Sequence, residues 1–500
     1  MRTSIKFLTA LCLCFGFAVQ VPAKDYLASE FGAKGDGVTL NTASLQAAID
    51  FASANGGGRV VLTPGKYVSG SIYLKNDVTL HLEKDASILG SLNPWDYRQD
   101  PEARWTALVL AVRQKNIAIT GSGVIDGRGF DVALRFVDFV HLGLIEDALS
   151  LDRVGETKRP ENIHFYRCEG VTIKDITLRD PACWTQQYDK CNKLLIEGIK
   201  VDATAYWNND GLDVVDCSNV VIRNCYIDAA DDAYCFKSHS ADGVSENVLV
   251  EDCVGRSSAN GIKFGTYTRG KFKNFRFRNM TIFDTYRSAF TIATVDGAAI
   301  EDIEIDGLKS LNTGNPIFLR TGTRNTREDA QPCLRNIVIR NVYAEVPFEK
   351  ADAGYRYEGP VEDLPRNVCC SEILGVPGIP IENVLIENVE IVYPGKADPE
   401  YAYQGSSKAE LESIDEQAAR YPEFSNWKET PAWGFWVRHA EGIRFKNVTV
   451  RLKDKDYRPA FVFDDVRNVS MKAVVIDHKS DSPKKAQIIR NKVKGFKKQK

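Results

Sequence analysis

The chain has 500 residues, of which 44% are hydrophobic and 26% charged, a balance that excludes wholesale disorder and a fibrous polymer. The formal net charge is −3; setting aside residues 1–23, which carry Arg2 and Lys6, leaves 62 basic against 67 acidic groups, or −5. The missing basic surplus argues against general nucleic-acid binding while leaving room for a local basic groove. The first segment reads as an export signal. Arg2 and Lys6 precede the apolar run Phe7–Val19, and Val21-Pro22-Ala23 offers small residues for cleavage. That run is too short to span a bilayer as a helix. Residues 1–23 are therefore expected to be removed. The rest is expected to be exported to the periplasm or the exterior, with no membrane span.

Asn41–Asn55 is predicted to be helical, because Leu45, Ala48, Ile49 and Ala52 share one face. Asn41 or Thr42 can cap its start, and Gly56-Gly57-Gly58 stops it. A short phrase then recurs: Asn (once Gly), a β-branched or aromatic residue, any residue, then an apolar one. Copies are Asn162-Ile163-His164-Phe165, Gly170-Val171-Thr172-Ile173, Asn219-Val220-Val221-Ile222 and Asn247-Val248-Leu249-Val250. Later ones start at Asn274, Asn336, Asn383 and Asn468. Its apolar position falls at Val171, Leu194, Val220, Val248, Phe275 and Ile303, a nearly even spacing. Alternation within the phrase means strand, and a period of about 25 residues without a helix means stacked coils. Regular Leu, as in leucine-rich repeats, is absent, and so are the hairpin signals of a propeller. The predicted fold is all-β, a parallel β-helix over residues 24–480 with the Asn41–Asn55 helix as an N-terminal cap. Asn suits a fixed turn position, since it tolerates a left-handed backbone and can hydrogen-bond along the stack. Residues 345–435 are expected to be an insertion, with Glu410–Arg420 helical, and residues 481–500 a basic, solvated tail. The ten cysteines after the signal fit no zinc spacing and are expected to be buried and unpaired, although export permits disulfides.

Two acidic segments carry the chemistry: Asn208-Asn209-Asp210-Gly211-Leu212-Asp213 and Ala230-Asp231-Asp232-Ala233. Asp210 precedes Asp231 and Asp232 by about one coil, so the acids should lie one above the other. Strand spacing puts their carboxyls about 5–10 Å apart. An inverting glycosidase needs about 6.5–9.5 Å, with room for a water between. Adjacent carboxyls also raise one pKa, as a general acid requires. Turn acids without catalytic work, or a calcium site, are the alternatives.

With these motifs the chain resembles the polygalacturonase-type glycoside hydrolases of family 28, which fold as right-handed parallel β-helices. Phe31-Gly32-Ala33-Lys34-Gly35-Asp36-Gly37-Val38 and the following helix resemble the family's N-terminal coils. Val376-Pro377-Gly378, Tyr421-Pro422-Glu423 and Trp433–His439 resemble a bacterial branch with an extended C-terminal part. The family's Asn-Thr-Asp matches Asn208-Asn209-Asp210 and its Gly-Asp-Asp matches Ala230-Asp231-Asp232. The resemblance implies Asp231 as general acid, with Asp210 and Asp232 activating water. There are two departures. Asn260 stands where the family has His, and Thr291 and Ala293 stand where it has the Arg and Lys that grip a substrate carboxylate.

The remaining substrate-binding candidates are Asn208, Asp213, Lys237, Asn260 and Lys263, with Trp184 and Tyr267 as sugar-stacking rings. Tyr188, Tyr206, Trp207 and Tyr286 are further stacking candidates, and His239 is a possible substitute for the missing His. Residues 237–287 hold nine Lys or Arg against five Asp or Glu, a surplus that suits an anionic glycan. The expected activity is metal- and cofactor-free inverting hydrolysis of a pectin-related wall polysaccharide by a monomer. The alternatives are a Ca²⁺-dependent polysaccharide lyase and a non-catalytic glycan-binding β-helix.

Overall fold

A computed structural model describes residues 24–147, 154–349, 351, 354–356, 369–401, 404–479 and 486–499; the expected signal, residues 1–23, lies outside them. The chain winds as a right-handed parallel β-helix of three strand ladders. The predicted apolar column is a true register column of the second ladder. Val171 pairs with Leu194, Leu194 with Val220, Val220 with Val248, Val248 with Phe275, and Phe275 with Ile303. The column continues through Ile337, Val384 and Ile443. Each residue faces inward and is buried, so successive coils stack one apolar layer on the next.

The Asn copies of the second ladder do what a turn column requires. Asn219, Asn247 and Asn274 have φ of 57°, 57° and 58°. Their amides pass along the stack: Asn219 Nδ2 donates to Asn192 Oδ1 at 2.8 Å, Asn247 to Asn219 at 3.3 Å, and Asn274 to Asn247 at 2.8 Å. Asn162 departs from this pattern. Its phrase lies on the first ladder, where the buried side chain donates to the Arg179 carbonyl at 2.8 Å.

The first ladder runs through Glu161–Tyr166, Gln186–Asp189, Leu212–Val215, Tyr234–Ser238, Ile262–Thr268, Phe290–Thr294 and Phe318–Thr321. Its inward residues Phe236 and Phe264 meet Phe275 of the second ladder at 5.3 and 4.9 Å between ring centroids. Each buried ring contributes roughly 1.5–3 kcal/mol through area removed from water. The third ladder includes Lys200–Ala203, Tyr226–Ala229 and Val254–Ser257.

The N-terminal helix spans Thr42–Ala54 and buries the four predicted residues. Asn41 precedes it but makes no side-chain cap; its amide is used by Lys34, Thr39 and Val68 instead. A second helix, Gly129–His141, was not anticipated. The helix expected at Glu410–Arg420 is shorter and earlier, Lys408–Ser413, started by a Ser407/Glu410 capping box. The interval 345–435 is not one insertion. Ser371–Leu374 and Ile381–Tyr393 form a coil within it, and register partners step by 47 residues into that coil and by 59 out of it. The expected basic tail also departs from expectation: Ile488–Asn491 and Lys494–Gln499 are strands paired to Phe461–Asp477, with Phe496 packed 6.0 Å from Phe463. Among the described residues none of the ten cysteines is in a disulfide; nine are buried and Cys333 partly so, several sharing turn columns such as Cys191 over Cys217.

Candidate active site

The acids sit in the turns that lead from the third ladder into the first. Asn209 builds the earlier turn. Its buried amide donates to the carbonyls of Pro181 at 3.0 Å and Cys183 at 2.7 Å, and accepts from the Tyr206 N–H at 2.7 Å. Arg159, also buried, holds the same turn through the Trp207 carbonyl at 2.8 Å and Asn208 Oδ1 at 2.7 Å. Gly211 is obligatory there, because a Cβ would stand 2.2 Å from Ile227 Cγ2. The next turn stacks on it. The Asp231 N–H donates to the Asn209 carbonyl at 3.2 Å, and the Gly211 N–H to the Asp232 carbonyl at 2.8 Å. The one-coil offset read from the spacing is therefore made by backbone hydrogen bonds.

An oxygen of Asp210, an oxygen of Asp232 and Cys235 Sγ lie within 4.8 Å of one another. A water can bond both carboxylates across that gap. Asp232 is fully engaged. Its Oδ1 accepts from Asn260 Nδ2 at 2.7 Å and from the Asn260 N–H at 3.1 Å, while Lys263 Nζ lies 3.1 Å from Oδ2. Although burial works against its charge, Lys263 and Asn260 hold Asp232 below the usual carboxylate range. Asp231, partly exposed, is pushed up to about 6, first by burial and then by the charge of Asp232, against the pull of Arg287. Two adjacent carboxyls are thus driven apart in acidity. Burial also raises Asp210, opposed by Lys237 Nζ at 2.8 Å, which bonds Asp213 as well.

The expected substrate contacts are redistributed. Lys237 and Lys263, expected among the substrate contacts, are buried and committed to the acids. Asp213 is fully buried beneath Lys237 and does not reach the surface. Asn260 serves Asp232, and its own Oδ1 accepts from Thr291 Oγ1 at 2.9 Å. The Thr that stands for Arg is therefore turned toward Asn260. Trp184 is not a sugar platform: it is 4% exposed, with Lys237 Nζ 3.5 Å from its ring centroid and Trp105 4.6 Å away. Tyr188 and Tyr206 belong to the core, and Tyr286 is buried. Tyr267 is 40% exposed and stays at the surface, edge-on to His239 at 5.2 Å. His239 faces Asp189 at 4.0 Å rather than Asp210, Asp231 or Asp232, and burial pushes its imidazole down to about 3. The basic surplus is largely elsewhere, since Lys271, Lys273, Arg276 and Arg278 lie on the second ladder.

Three site residues escaped the sequence reading. Arg287 is 1% exposed and acts on both Asp231 and Asp232. Glu423 pairs with it at 2.7 Å, and Tyr421 accepts from Lys263 Nζ at 2.9 Å. Arg287 was findable as a basic residue one coil after Asn260. Tyr421 and Glu423 lie several coils further along the chain, so no local pattern joins them to the acids.

Residues 60–353 match the family model Glycosyl hydrolases family 28, and residues 28–81 match Rhamnogalacturonase A/epimerase, pectate lyase-like. Over 310 residues the chain is 27% identical to a probable polygalacturonase of Vitis vinifera, covering 59% of this chain and 56% of that protein. Over 249 residues it is 28% identical to an exo-poly-alpha-D-galacturonosidase of Dickeya chrysanthemi, covering 42% and 41%. The chain thus spans about half the length of these relatives. A hyperthermoactive exopolygalacturonase from Thermotoga maritima shares the fold, with a TM-score of 0.60 and 23% identity over 75% of this chain and 88% of that one. With its acid turns one coil apart on a β-helix, and with the family match extending over residues 60–353, the chain belongs to glycosyl hydrolases family 28.

Proposed function

We propose that the protein is an exported glycoside hydrolase that cleaves a pectin-related wall polysaccharide with inversion at the anomeric carbon. The observation that carries this reading is the pairing of a raised carboxyl, Asp231, with Asp232, which is held ionised and has an oxygen within 4.8 Å of one of Asp210. Asp231 donates its proton to the departing glycosidic oxygen. A water held by Asp210 and Asp232 bonds to the anomeric carbon from the opposite face as the carbon–oxygen bond breaks, and its proton passes to Asp232. Asn260 and Lys263 keep Asp232 ionised, so it accepts and does not donate. Export is supported by the signal-like start, Arg2 to Ala23, and among the described residues no helix is long and apolar enough to cross a membrane.

A calcium-dependent lyase fits the side chains less well. Ca²⁺ takes six to eight oxygen ligands. Here ammonium groups already sit on Asp210 and Asp232, and the third converging donor is a thiol whose proton burial retains. The test is a panel of polysaccharides, with reducing ends and double-bond absorbance read together and the first product followed by NMR. New reducing ends of inverted configuration are expected. Retention rejects the mechanism, and double-bond absorbance rejects hydrolysis.

A further inference from the structure

The outward row of the first ladder is buried along its length, Asp213, Cys235, Lys263 and Thr291 beside the acids included, but what covers it changes from end to end. Beyond Lys263 and Thr291 the same outward row continues as Phe318, Glu372, Trp436 and Val462, all at most 1% exposed. The cover is a second hydrophobic cluster outside the β-helix, in which Leu411, Ile414, Phe424 and Trp427 pack on Phe318 and Trp436. Trp427 meets Trp436 edge-on at 5.4 Å and is held by its Nε1 bond to the Asp415 carbonyl at 2.8 Å. The same segment reaches the acids through Tyr421 on Lys263 and Glu423 on Arg287. On the other side, Trp105 lies over His164 at 6.1 Å and against Trp184 at 4.6 Å, closing the row before Asp213. Between the two walls the row runs from Asp213 through Cys235 and Lys263 to Thr291, three strand steps or roughly 14 Å. Between them Tyr421 is 43% exposed, Tyr267 is 40% exposed and Asp231 is partly open.

Resting on the hydrolase reading above, we infer that this walled site takes the end of a glycan chain rather than its interior, with Tyr421 as a specificity-determining residue at the closed end. A polymer threading along the ladder would have to displace either the Trp105–Trp184 pair or the whole Leu411–Trp427 cluster, both desolvated and packed. A chain end needs to enter only the gap. The phenol of Tyr421, held by Lys263, presents a ring edge and an oxygen to the terminal sugar.

Two measurements test this. In the first, wild-type protein digests polygalacturonic acid and rhamnogalacturonan while viscosity and product size are followed at a few per cent of bonds cleaved. One short product from the outset, with viscosity nearly unchanged, is expected; a random ladder with a steep viscosity drop overturns the inference and leaves the hydrolase reading intact. In the second, the Asp231→Asn protein is titrated calorimetrically with oligogalacturonides and rhamnogalacturonan oligosaccharides of increasing length. One protein bound per chain at every length supports end binding. A number that rises with length, or no binding by any chain, overturns it. Absence of cleavage by wild type sinks the hydrolase reading alone, because the stoichiometry still decides whether ends are bound.

Discussion

Asp231 and Asp232 are sequence neighbours with opposite acidities, because the second is saturated by Asn260 and Lys263 while the first, only half-buried, is desolvated beside the charge of the second. The acid must be protonated to act, so turnover should fall about tenfold per pH unit above Asp231's value of about 6. The acidic limb, set by ionisation of Asp232, should lie below the usual carboxylate range. Asp231→Asn should keep the fold, lower turnover by about 10²–10⁴-fold and remove the alkaline limb; a pH–rate profile checks all three with circular dichroism. Activity within threefold of wild type would remove Asp231 from the acid role. The substrate prediction also belongs to single residues. A carboxylate entering a partly desolvated subsite needs a charge-assisted partner worth about 1.5–3 kcal/mol. Thr291 and Ala293 cannot supply one, and Lys237 and Lys263 are committed to the acids. Polygalacturonic acid should therefore give a lower kcat/KM than rhamnogalacturonan or neutral oligosaccharides; its proving the best substrate would show that the carboxylate grip has been relocated. The acids and the Asn260 and Thr291 departures were legible in the sequence because they lie in adjacent coils. The commitment of Lys237 and Lys263 was not, since it depends on which face each strand turns outward.

At the scale of elements, the Asn column combines a backbone requirement with a side-chain ladder. Asn247→Ala loses the bonds to Asn219 and from Asn274 and places a Cβ residue at φ 57°. The left-handed backbone costs about 1–2 kcal/mol and each lost bond about 0.5–1.5 kcal/mol, discounted here by exposure. A fall of about 2 kcal/mol is expected, with Asn247→Gly recovering the backbone part but not the bonds; urea midpoints of the pair separate the two contributions. The Trp427 cluster is an element in its own right, separate from the main core. Trp427→Ala should cost about 3–5 kcal/mol locally. Amide exchange should then quicken in 404–434 while the coil interior around Phe264 stays protected; uniform quickening would show the two cores to be one. The helix Gly129–His141 buries Gly129, Val132, Ala133 and Phe136, the same i, i+3, i+4, i+7 spacing that marked Thr42–Ala54, so it too was readable.

For the molecule as a whole, coils stack because each buries an apolar layer against its neighbours, and that periodicity is written into the chain from Val171 to Ile303. The sequence by itself therefore determined the β-helix, its register column, the cap helix and the one-coil offset of the acids. All of these follow from local alternation and regular spacing. Where the period breaks, the sequence was silent. The intervals around Ser371–Tyr393 read as a single insertion, although a complete coil divides them, and the Lys-rich end read as solvated although Phe496 docks on Phe463. Only the tertiary structure decided that residues 404–434 fold back over the outward face of the first ladder, bringing Tyr421 to Lys263 and Glu423 to Arg287 from far apart in the chain. The physical reason is that contacts within and between coils repeat with the chain's own period, whereas a loop's docking site is set by shape and charge complementarity on a surface that exists only once the coils are stacked.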